Sequence, residues 1–329
     1  MDRRTAKQDK GTGFVRAAAE RAAALISAVA VMLLMLCVSY LPEEGVMAVT
    51  AAIGPAAMGP APSPTPKPTA DPNVFIRLAD VDSDVSPEVL VTLTRLTRGD
   101  RIKLKGTEPK ILVYHTHDTE AYRMTPGNEY EPSGDYRTED DRFNVYAVGE
   151  ELCRILREEY GIIAVHAPEK HEKPLITSAY SRSLETMLEY KRRYPSIEMF
   201  IDLHRDGVPE TGYETDYVTV DGLECARMMF VVGTGKSGKS SQYGPEPSTD
   251  AELAAPDFES NYTLAAELTE SLLGINERFM RNIRVKAGKY NQQVSGKCLL
   301  IEVGHNANTL EQAKNSMKYL ARAIAELEK

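Results

Sequence analysis

Three apolar runs of strand length in this chain end in side chains able to bind a metal. ILVY (111–114) is followed by His115, Thr116, His117, Asp118, Thr119 and Glu120; MFID (199–202) runs into Leu203, His204 and Arg205; and LLIEVG carries Glu302 inside an otherwise apolar stretch. His117 and Glu120 form an HxxE pair, a spacing at which one turn brings an imidazole and a carboxylate to the same ion, and His204 supplies a distant third donor. Two nitrogens and one oxygen with a fourth position open describe a catalytic zinc site. Such a site also needs a carboxylate that is not a ligand, to take a proton from the attacking water and pass it to the leaving amine. Glu302 is that candidate, because acids are seldom buried without a partner. His115 competes with His117, since residues two apart on an extended segment point the same way; the HxxE spacing favours His117. Arg205 is the candidate for substrate binding, gripping a substrate carboxylate or helping to hold the oxyanion, and Asp202 could orient His204 from behind.

These residues need a frame. Past Pro109 the chain alternates apolar runs of strand length with amphipathic segments of helix length, which predicts an α/β domain with a mixed, largely parallel sheet flanked by helices. The segment 144–158 places Val145, Val148, Leu152, Ile155 and Leu156 on one helical face; IIAVH (162–166) reads as the next strand; Leu184, Met187 and Leu188 mark a helix that ends before Pro195. A strand over 226–232 follows, then a polar loop to about Ser260, a long helix with Leu264, Leu268, Leu272 and Phe279, a strand over 297–303 and a closing helix from Leu310 to Leu327. Open α/β sheets hold ligands at the carboxyl ends of their strands, where the three motifs fall.

One motif invites a different reading. Gly233 to Ser240 (GTGKSGKS) fits the phosphate-loop pattern GxxxxGK[ST] after an apparent strand. A working phosphate loop opens a helix, and Gly244, Pro245 and Pro247 forbid one here, so no nucleotide is expected.

The net charge of −9 argues against a nucleic-acid binder, and four scattered cysteines make neither a disulfide framework nor a zinc ribbon. Charge is uneven along the 329 residues. Six Lys and Arg crowd residues 1–21, and Ala22 to Leu41 carry no charge over a length that, as a helix, spans about 30 Å, the thickness of a bilayer core. The positive flank predicts a cytoplasmic tail (1–21), a transmembrane anchor (22–41) and everything after it outside. A Pro/Ala-rich linker (42–72), a juxtamembrane subregion (73–107) and the catalytic domain (108–329) complete the expected organisation.

The segments YHTHDTEAY (114–122), IDLHRD (201–206), YNQQVSG (290–296) and LIEVGHNANTLEQAKNSMKYLARAIA (300–325) resemble the signature segments of the stage II sporulation protein P family. The resemblance implies a membrane-anchored, zinc-dependent peptidoglycan hydrolase with a zinc amidase or carboxypeptidase-like fold. It would cleave the N-acetylmuramoyl–L-alanine amide between the mother-cell and forespore membranes during engulfment, with stage II sporulation proteins D and M as partners. By the same resemblance His117, Glu120 and His204 match the metal positions and Glu302 the catalytic glutamate. Related amidases place their ligand glutamate just before the first long helix, which keeps Asp140 and Asp141 open as alternatives to Glu120. An added endopeptidase activity on stem peptides, a zinc carboxypeptidase and a non-catalytic recruitment module at the septum are the other readings.

Overall fold

The computed structural model describes residues 74–209, 216–241 and 244–328. The expected tail, anchor and linker (1–72) lie outside them, and among the described residues no helix is long and apolar enough to cross a membrane. The chain divides into two units, Met1–Pro66 and Lys67–Lys329, and all that follows concerns the second.

Its strands are β1 (Ala79–Val81), β2 (Ile111–Tyr114), β3 (Ala164–His166), β4 (Met199–Asp206), β5 (Tyr217–Val220), β6 (Leu223–Ala226), β7 (Met228–Gly233), β8 (Ile283–Lys286) and β9 (Cys298–His305). β5 and β6 pair with each other; the rest form one sheet in the order β1-β8-β7-β9-β4-β2-β3. Neighbours are parallel except β7 and β9, so the expected mixed, largely parallel sheet is present. The runs ILVY in β2 and MMFVVG in β7 are buried at every position, as interior strands covered on both faces must be.

The helices are α1 (Val74–Arg77), α2 (Glu88–Leu93), α3 (Val145–Tyr160), α4 (Ala179–Arg193), α5 (Asp250–Leu253), α6 (Phe258–Leu273) and α7 (Leu310–Glu326). On one face of the sheet Val113, Ile201, Phe230 and Ile301 pack against apolar residues of α3, α6 and α7. The other face is covered over β2 and β4 by α4, through Leu184, Met187 and Tyr190 against Leu112, Tyr114 and Phe200. Beyond α4, over β9 and β7, Met229, Val231 and Leu300 form a small separate apolar cluster. The pocket described below opens on that stretch.

The helix expected at 144–158 is α3. Asn144 caps it, its side chain accepting from the Tyr146 amide, and Gly161 ends it in the left-handed conformation at φ 66°. Leu152 on its buried face is fully enclosed. Leu152→Ala is therefore expected to destabilise the domain by about 2 to 5 kcal/mol in chemical denaturation, through lost burial and the cavity left behind.

Several boundaries differ from the sequence expectation. Residues 74–107 do not form a subregion apart from the domain at 108. Phe75, Leu93, Ile102 and Leu104 belong to the main core, Tyr262 Oη donates to the Phe75 carbonyl at 2.6 Å, and β1 is an edge strand on β8. A strand of three residues is too short to show alternation, which is why β1 carried no signal. The strand expected at 226–232 is split, β6 ending at Ala226 and β7 starting at Met228. Phe279 lies beyond α6, which ends at Leu273, and reaches the core from the connection to β8. The glycine-rich segment after β7 makes turns: the amides of Thr234, Gly235 and Ser237 donate to the carbonyls of Lys286, Gly288 and Ala287.

Candidate active site

Parallel pairing of β4 with β9 sets His204 directly beside Glu302, so both side chains leave the same face of the sheet near the strands' carboxyl ends. The loop leaving β2 brings His117 and Glu120 to the same place. These four residues, with Arg205, Tyr180 and Tyr290 among others, line a cavity of about 170 Å³.

Glu120 is buried, and its Oε2 accepts a hydrogen bond from the Arg205 amide at 3.1 Å and lies 3.4 Å from His204 Nδ1. Burial by itself raises the Glu120 pKa, but contact with His204 and the charges of Arg205 and His117 outweigh it and hold the carboxyl well below its ordinary range. For His204 the balance runs the other way: burial disfavours the imidazolium, and Asp202 and Glu120 together more than restore it. His204 Nε2 lies 2.9 Å from Asp202 Oδ1 but out of line with it, so this buried nitrogen makes no hydrogen bond. Asp202 is itself held by the Thr116 amide at 2.8 Å and the Thr116 hydroxyl at 2.6 Å.

Glu302 Oε2 is buried without any hydrogen bond. Burial pushes its pKa up, and the nearby carboxylates of Glu120 and Asp206 add to the effect against an opposing pull from His204. A carboxyl group left unpaired in this way is primed to take up a proton.

The two histidines of HTH part company. His117 Nδ1 lies 3.0 Å from Glu172 Oε1, its ring stands edge-on to that of His204 with centroids 5.4 Å apart, and Nε2 is the nitrogen left for a ligand. His115 is buried, donates from Nδ1 to the Leu203 carbonyl at 2.8 Å and places Nε2 2.9 Å from His166 Nε2. Burial and the neighbouring His166 hold its pKa well down, and it does not line the cavity. Gly149 of α3 makes room for this pair, since a Cβ there would lie 2.8 Å from His115 Nε2. Asp140 pairs with Arg142 and Asp141 with Lys170, and neither lines the cavity. Arg205 does line it, but its guanidinium donates to the carbonyls of Ala121, Tyr136 and Asp206, which ties the Glu120 loop to β4.

Among the described residues, no three His, Cys, Asp or Glu side chains are drawn together tightly enough to hold an ion as they stand. The donor types nevertheless fit zinc. Two ligands of one tetrahedral zinc, each about 2.0 to 2.1 Å from the ion, stand about 3.3 Å apart. Glu120 Oε2 and His204 Nδ1, at 3.4 Å, have that spacing, longer than the roughly 2.7 to 2.9 Å of a charge-assisted hydrogen bond.

Glu172 is the residue that the sequence did not suggest. It lies 55 positions from His117 and also accepts from Arg137 Nη1 and from the Thr119 hydroxyl. The amides of His171 and Glu172 both donate to Asp118 Oδ2, clasping this loop to the HxxE segment.

Residues 66–325 match the model of the family Stage II sporulation protein P. The chain belongs to that family. The stage II sporulation protein P of Bacillus subtilis (strain 168) is 25% identical over 233 residues, covering 68% of this chain and 52% of that protein. The chain thus spans about half the length of the curated relative it matches. Among solved structures, the N-acetylmuramoyl-L-alanine amidase AmiC2 of Nostoc punctiforme is 15% identical with a TM-score of 0.37, covering 68% of this chain and 97% of that one. Ami1 of Mycobacterium smegmatis is 12% identical with a TM-score of 0.36, covering 69% and 99%. The CwlD amidase of Clostridioides difficile, solved with the GerS lipoprotein, is 15% identical with a TM-score of 0.34, covering 66% and 94%. These likenesses are loose, and the family assignment rests on residues 66–325.

Proposed function

We propose that this chain is a zinc-dependent peptidoglycan hydrolase that cleaves the amide between N-acetylmuramic acid and L-alanine, held at the membrane by residues 22–41 and working outside it during sporulation engulfment. The observation that carries the reading is Glu302: a carboxylate with one buried, unpaired oxygen, set by strand register beside His204. Membership of the stage II sporulation protein P family supports it.

His117, Glu120 and His204 are the residues that would hold zinc. Bound there, zinc would polarise the amide carbonyl and make water a nucleophile near neutral pH. Glu302 takes the proton of the attacking water and returns it to the leaving nitrogen, a role that its raised pKa suits. Glu172 orients His117, Asp202 sets a negative charge beside the His204 ring, and Arg205 keeps Glu120 in place through its amide. Tyr180 stands edge-on to His117 and walls the cavity.

Metal analysis of the purified protein tests the reading, with about one zinc per chain expected and its removal by chelator expected to abolish release of peptides from peptidoglycan. A metal-free protein that still releases them would refute it. Glu172 gives a finer check. Glu172→Gln should weaken zinc binding by about 10- to 100-fold in a chelator competition. Glu172→Asp should recover part of the loss, and neither should shift the denaturation midpoint as Leu152→Ala does.

A further inference from the structure

The cavity has a second end that the chemistry above leaves unused. On the face bearing His204 and Glu302 the register continues outward: Glu302 stands beside Met229, Leu300 beside Val231, and Val231 beside Arg284, with Lys286 beside Gly233. Met229, Val231 and Leu300 form an apolar floor against which Tyr290 packs. Arg284 and Lys286 line the same cavity as His204 and Glu302. With strands about 4.8 Å apart, β8 lies about 10 Å across the sheet from β9, and Lys286, level with Gly233, also stands four residues along β7 from the Met229 that faces Glu302, so the two backbones are about 16 Å apart. One end of the cavity is therefore carboxylate and imidazole, and the other is guanidinium and ammonium.

The two cations are not equally engaged. Arg284 Nε donates to Asp82 Oδ1 at 2.9 Å, and Asp80 stands in register with it on β1. Lys286 Nζ is 3.8 Å from Asp82 Oδ2, an ion pair without a hydrogen bond, so its three donors are open to a partner. Its backbone is fixed on both sides, by pairing with β7 and by the Thr234 amide and hydroxyl, which donate to its carbonyl at 2.8 and 3.1 Å.

We propose that Lys286, backed by Arg284, forms a carboxylate subsite that grips an acidic residue of the substrate peptide two or three residues from the amide held at Glu302. The assignment rests on the hydrolase reading above. Lys286 and Glu302 both reach into the one cavity, which brings their charged ends closer than their backbones, and an extended peptide, advancing about 3.3 to 3.6 Å per residue, covers such a gap with two to three residues. The substrate class is an amide-linked peptide with a free carboxylate just past the cut, as a stem peptide has on its second residue.

Two muropeptides that differ only in whether the α-carboxylate of the second residue is free or amidated provide the test. The zinc-loaded protein should show kcat/KM about tenfold or more higher for the free acid, the discrimination expected of a charged hydrogen bond. Lys286→Glu and Lys286→Ala should bring the ratio to near one or below with zinc content unchanged, and Lys286→Arg should keep it. Equilibrium binding of the same two muropeptides to Glu302→Gln protein reads the subsite without turnover. If neither muropeptide is cut but the acid still binds preferentially through Lys286, the hydrolase reading fails and the subsite stands. Equal binding of acid and amide, or a preference unchanged in folded, zinc-loaded Lys286→Ala, overturns the subsite.

Discussion

Glu302→Gln is expected to leave a folded protein that keeps its zinc, still binds peptidoglycan and releases almost no peptide from it. Glutamine preserves the volume and shape of the side chain but cannot accept a proton, and general-base assistance is worth about two to four orders of magnitude in rate. The substitution also removes a buried carboxyl group that has no hydrogen bond on Oε2 and lies near the carboxylates of Glu120 and Asp206. Thermal stability of the metal-free protein should therefore stay the same or rise. Were Glu302 only an anchor for β9, the variant would be destabilised or would remain active, and thermal melting alongside single-turnover rates separates those outcomes.

His204→Ala is expected to cost the metal itself. Zinc binding at protein sites is worth about 10 to 16 kcal/mol spread over the ligand set, so losing one of three protein ligands should weaken affinity by roughly two orders of magnitude or more. The variant also leaves Glu120 without the histidine that holds its pKa down, and burial then favours the protonated acid. His115→Ala is the control. It removes a hydrogen bond to the Leu203 carbonyl, so it should lower stability while zinc stoichiometry at saturating metal is retained. Equal zinc loss in the two variants would mean that the wrong histidine of HTH has been assigned to the cavity.

The parts of this site legible in the sequence are those whose signal is local. Strand-length apolar runs ending in His or Glu announced β2, β4 and β9, and HxxE picked out His117 and Glu120, which line the cavity together. What the sequence hid is what depends on distant partners. Glu172 reaches His117 from another loop, and nothing in HEKP marks it. Arg205 sits beside the metal candidates in the chain, but its guanidinium is taken up by backbone carbonyls, a fate that only the folded loop around Tyr136 and Ala121 decides. β8 alternates buried Ile283 and Val285 with Arg284 and Lys286, the period of a strand with one buried face, yet four residues are too few for the pattern to stand out. That brevity concealed the cationic end of the cavity as well as the strand.

Mass analysis of the products formed from purified peptidoglycan by the zinc-loaded protein decides which bond this chain cuts. Peptides with a newly freed L-alanine amino group are expected, together with glycan strands whose muramic acid lactyl carboxyl groups are free, both abolished by Glu302→Gln. Peptides shortened from their carboxyl ends with the muramoyl–alanine bond intact, or no cleavage at all by protein with one zinc per chain, would contradict the proposed cleavage.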